Sequence, residues 1–156
     1  MGITLRVPDL IRDLTLVLSL TFLASPASAW DFSPLPICTL SAPVEGGEVQ
    51  VTYDPDLNIY EIRLSFKDGR TWVPSPDFEI AFLGERSNTI GTNRHVIARD
   101  GTSLSVTDSG FGNVLDGLEF NSVAEARAGE VTMAIPLDGA AEPVQAFRAC
   151  GEAALS

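Results

Sequence analysis

The sequence predicts a mainly β protein: an antiparallel sandwich or a partly closed barrel, with one or two short helices near the C-terminus. Apolar residues recur at every second position in roughly six to eight short segments, the period of a half-buried strand. Turn-forming residues separate these segments about every 8 to 12 positions, the spacing of small sandwiches and barrels. No repeat of about 20 to 50 residues and no low-complexity tract points to a solenoid or a tail.

The elements follow in order. Trp30 to Pro43 is proline-rich and reads as irregular except near Cys38-Thr39-Leu40. After Gly46-Gly47, Val49, Val51 and Tyr53 alternate with Gln50 and Thr52, and Asp54-Pro55-Asp56 turns the chain. Tyr60, Ile62, Leu64 and Phe66 share the next inner face, and Asp68-Gly69 signals a hairpin. Thr71-Trp72-Val73 starts a return that Pro74 and Pro76 confine to an edge or a loop. Phe78, Ile80 and Phe82 mark another strand, residues 84–91 a turn, residues 92–98 a weaker strand, and Ser103 to Thr107 a further one. Residues 122–128 read as a helix, capped by Asn121 or Ser122, rich in alanine and stopped by Gly129. Val131, Met133, Ile135 and Leu137 restore the two-residue period. From Ala141 to Cys150 a helix is expected, with Pro143 in its first turn and Val144, Phe147 and Cys150 on one face.

Residues 1–29 read as a signal peptide, which leaves residues 30–156 as a single β-rich domain. Arg6 and Arg12 precede an apolar run from Leu14 to Leu23, and Ala27-Ser28-Ala29 has the small-x-small form of a cleavage site. Asp9 and Asp13 are out of place in such a leader and point to a start downstream of Met1. The run is well short of the roughly 20 residues that span a bilayer, so no stable membrane insertion is expected after cleavage. The expected location is the periplasm or the exterior.

Arg6 and Arg12 balance Asp9 and Asp13, so the formal charge of −11 belongs to the mature part. An acidic domain offers nucleic acid no counter-charge, and binding to it is excluded on that ground. In an oxidising compartment the two cysteines, Cys38 and Cys150, are expected to pair. Closing a loop on the order of 100 residues is worth about 4–5 kcal/mol by chain entropy.

The motifs that could carry chemistry are few. "SGFGNVLDGLEFN", residues 109–121, contains Gly110-Phe111-Gly112 after a strand. A phosphate cradle would need a helix to follow. Gly117 interrupts any helix there, so Gly110 and Gly112 read as positive-φ glycines at a bulge or tight turn. Asp54-Pro55-Asp56-Leu57-Asn58 opens like a calcium loop but places Ile59 where glycine belongs and Ser65 where glutamate belongs. No metal and no cofactor is therefore predicted. His95 is the lone histidine and reads as a surface residue, with Asp100 near it in sequence. Asp116 and Glu119 are the carboxylate pair to inspect for hydrolysis. Trp30, Phe32, Trp72 and Phe78 could line a groove, but such residues more often cover the ends of a small β core.

At "WDFSPLPICTL", "VTYDPDLNIYEI", "DSGFGNVLDGLEFN" and "AFRAC" the chain resembles a group of small exported bacterial proteins of uncharacterised activity. Some of these carry the name of an excinuclease helicase, which conflicts with an acidic chain that lacks a Walker A lysine. The strand layout and terminal cysteine are also similar, in architecture alone, to the invasion-associated locus B family. Neither resemblance implies an activity. The expectation is a non-catalytic binding or interaction module whose partner is an envelope protein or ligand. Its functional loop would be built from Gly110, Phe111, Gly112, Asn113, Asp116 and Gly117. The competing expectation is a small envelope hydrolase using a carboxylate pair or His95.

Overall fold

The computed structural model describes Gly2 and residues 29–154. The expected leader, apart from Gly2 and Ala29, lies outside the described residues. In chain order the elements are β1 (Asp31–Ser33), β2 (Cys38–Val44), β3 (Gly47–Asp54), β4 (Ile59–Phe66), β5 (Phe78–Gly84), β6 (Asn88–Thr92), β7 (Val96–Ile97), β8 (Ser103–Asp108), α1 (Gly112–Phe120), β9 (Asn121–Ala128), β10 (Val131–Pro136) and α2 (Ala141–Ala154). Two antiparallel sheets result. One has six strands in the order β1-β2-β3-β4-β8-β7, the other four in the order β10-β9-β5-β6. They form a sandwich-like pair and do not close into a barrel.

The alternating patterns decide which faces meet. Val49, Val51, Tyr53, Ile62, Leu64 and Leu104 from the first sheet are buried against Phe78, Ile80, Phe82, Met133 and Ile135 from the second. Burying one such side chain contributes about 1.5–3 kcal/mol, so this interior dominates the stability. The tryptophans close the ends of the core. The Trp72 indole N–H donates to the Leu64 carbonyl at 3.0 Å, and that of Trp30 donates to the Pro136 carbonyl at 3.0 Å. Trp30, Trp72 and Phe78 are thus core residues, as the covering reading expected, and Phe32 packs against the same core.

Several local expectations are corrected. Residues 122–128 form strand β9 instead of a helix. Ala124, Ala126 and Ala128 point inward while Glu125 and Arg127 point out. On β5 their partners are Phe82, Ile80 and Phe78, and on β10 Ala126 and Ala124 face Met133 and Ile135. A central strand between bulky neighbours needs small side chains, and that demand overrides alanine's preference for helix. Gly129, expected to stop a helix, sits at φ 58° in the two-residue turn between Ala128 and Val131. The Asp68-Gly69 turn forms, but the chain does not return beside β4. On its side away from β3, β4 pairs with β8, and the segment after Arg70 crosses to the second sheet, tied by the Trp72 amide to the Gly101 carbonyl at 2.8 Å. The segment 30–43 carries more strand than expected, residues 84–91 hold all of β6 but its last residue, and of the strand expected over 92–98 only Thr92 and the two residues of β7 are extended in a sheet.

The C-terminal helix is present, with Val144 and Phe147 fully buried. It brings Cys150 to Cys38 on β2, and the two form a disulfide with Cα atoms 6.1 Å apart, a link across 112 positions. No helix among the described residues is long and apolar enough to cross a membrane.

Candidate functional site

The largest departure from the sequence reading falls on the glycine segment. A helix does follow Gly110-Phe111: α1 begins at Gly112, and neither Gly110 nor Gly112 has a left-handed φ. Gly117 lies inside α1, and its lack of a side chain is a packing requirement. A Cβ there would lie 2.5–2.6 Å from three carbons of the Phe82 ring. So short a helix is marginal alone. Burial of Val114, Leu115, Gly117 and Leu118 holds it against the second sheet. Its end is tied by Asn121, which donates to the Gly117 carbonyl at 3.0 Å and exchanges bonds with the Arg86 backbone.

Phe111 anchors the loop before α1. It is buried and stacks on Tyr60 with centroids 5.5 Å apart, and Tyr60 in turn meets Tyr53 and Phe147. Burial raises the Tyr60 pKa above its ordinary value, with the neighbouring Tyr53 adding to the rise. The loop is therefore held by aromatic packing and is not a free excursion.

Beneath this loop lies a cavity of about 230 Å³, between the sheets on the side where β6 faces β8. Its floor is apolar, built from Ile62, Phe78, Ile80, Ile90, Val106 and Phe111. Polar groups stand at its mouth: Thr92, Asn113, and Arg94 bonded to Asp108 at 2.6 Å. Asp108 also accepts the Ser109 amide at 2.7 Å. That backbone bond, followed by the bond from Arg94, holds its carboxyl below the usual range.

Of the predicted loop residues, Gly110, Phe111 and Asn113 line the cavity and Gly112 begins the helix above it. Asp116 and Gly117 do not reach it. Asp116 and Glu119, one helical turn apart, both face α2 and both bind Arg148, which meets Glu119 at 3.0 Å. Gln145 donates to the other oxygen of Glu119 at 3.0 Å. The pair is a clamp between helices. His95 is half-buried instead of lying on the surface. Its ring is 5.9 Å from that of Phe78, and its Nδ1 is buried without a hydrogen-bond partner. Asp100 is engaged by the Thr102 amide and hydroxyl, at 3.0 and 2.8 Å. Asp54 accepts the amides of Asp56 and Leu57 in a turn completed by Asn58 at φ 51°. Among the described residues, no three His, Cys, Asp or Glu side chains cluster as metal ligands.

Thr92, Arg94, Asp108 and the β6 side chains are the site residues that the sequence reading missed. No local pattern marks them, because the strand ends that carry them belong to different sheets. Comparisons with protein-family models, curated proteins and solved structures find no match to this chain.

Proposed function

We propose that this chain is a periplasmic or secreted binding module of the cell envelope that acts without catalysis, and that its ligand site is the cavity beneath Phe111. One observation carries the reading. The cavity has an apolar floor, a few polar groups at its mouth and walls held by the core, as small-molecule sites do. The acid–base candidates lie elsewhere: Arg148 occupies Asp116 and Glu119, and His95 is not part of the lining. The long-range disulfide and the leader-like residues 1–29 support export. The resemblance to small exported bacterial proteins points the same way.

The test is chemical-shift mapping with small neutral apolar solutes such as benzene and indole. Perturbations should centre on Ile80, Ile90, Val106 and Phe111 and should vanish in Val106→Phe, which fills the space. Perturbations spread evenly over the surface, or none at all, would refute the cavity as the site.

A further inference from the structure

We propose that the cavity takes a small organic anion, a compact apolar body bearing one carboxylate, with the carboxylate at Arg94. The inference rests on the binding reading above and adds the chemical class of the ligand.

Size bounds the apolar body. An apolar cavity of about 150 Å³ accepts benzene. The 230 Å³ here therefore admits one ring or a short chain with a head group. The hydrogen-bonding capacity left at the mouth determines the head. Asp108 is the acidic group there, and both of its oxygens already accept protein donors, Oδ1 from Ser109 and Oδ2 from Arg94. The Arg94 guanidinium carries five N–H donors. One nitrogen meets Asp108, and the remaining donors have no acceptor among the described residues. Asp108 thus keeps at most about two of its four lone-pair sites while the guanidinium keeps about four of its five donors, so donors are in excess at the mouth, and an acceptor with negative charge matches them.

Calorimetric titration of the oxidised protein with benzoate and hexanoate, their amides, benzylamine and inorganic phosphate tests the class. The acids should bind at least tenfold more tightly than the amides, and benzylamine and phosphate should bind more weakly still. Arg94→Gln should weaken the acids at least tenfold and the amides by a much smaller factor. Asp108→Asn, which frees the guanidinium but keeps an acceptor for Ser109, should tighten the acids several-fold. An ion pair with only a structural role would make both variants weaker binders. Amides equal to acids, or a weaker Asp108→Asn, would overturn the anion inference while the cavity reading stands. Phosphate binding as well as benzoate would overturn the apolar body. If neither acids nor amides bind and the neutral solutes also fail, the cavity reading falls with it.

Discussion

Replacing Gly117 by alanine separates two opposed effects. In an exposed helix the change would stabilise by about 1 kcal/mol through helix propensity. Here the added methyl lands 2.5–2.6 Å from three carbons of the Phe82 ring, a side chain with no solvent exposure and so little room to yield. Overpacking of a filled core costs about 1–3 kcal/mol, and overlap with several ring atoms belongs at the upper end. The net expectation is a loss of about 1–2 kcal/mol. For a domain of this size that lowers Tm by about 3–10 °C. Urea unfolding of the oxidised protein should show a lower midpoint at an unchanged slope, which marks a change in stability and not in the exposed surface. Phe82→Leu opens the space, so the double variant should be more stable than the summed single losses by at least about 0.5 kcal/mol. A Gly117→Ala protein as stable as the parent, or strict additivity with Phe82→Leu, would refute the close approach of α1 to β5.

Other expectations follow from the same contacts. Replacing both Cys38 and Cys150 by alanine should lower stability by about 2–5 kcal/mol, read from urea midpoints with and without reductant, and reductant should then have no further effect. Arg148→Met leaves Glu119, whose side chain is only 8 % exposed, without its cation, and should cost about 2 kcal/mol. Glu119→Gln, which keeps an acceptor, should cost less in the same unfolding assay. Asp68, Asp100 and Asp108 have carboxyls held below the usual range, chiefly by backbone amides of Arg70, Thr102 and Ser109 respectively. A depressed folded pKa means that their contribution is complete above the unfolded carboxylate pKa, near 3.8. It is lost as the pH falls through the lower folded values. Unfolding midpoints should therefore decline below about pH 4, and Asp100→Asn should flatten that decline.

Much of the fold was legible because alternation is a local signal. Inward residues of β3, β4, β5, β8 and β10 can be picked from the sequence by counting in twos. The inward face of α2 follows from spacings of three, and the pairing of Cys38 with Cys150 from the leader and the even cysteine count. Two segments reversed. Residues 112–120 look fit for strand or loop, and residues 122–128 look fit for helix, yet each takes the other form. In both, the deciding partner is distant in sequence and belongs to β5. Phe82 leaves room beside it only for a residue without a side chain, and the Phe78, Ile80 and Phe82 row accepts only small residues opposite.

The candidate site divides the same way. From sequence alone come the mainly β class, the acidic charge, the paired cysteines and the interest of Gly110, Phe111 and Asn113. Only the tertiary structure decided that these residues roof a cavity, that Arg94 and Asp108 meet at its mouth, and that Asp116 and Glu119 serve α2 instead. Strand periodicity depends on immediate neighbours in the chain. A cavity depends on which edges of two sheets face each other, and that is settled only when the whole interior packs.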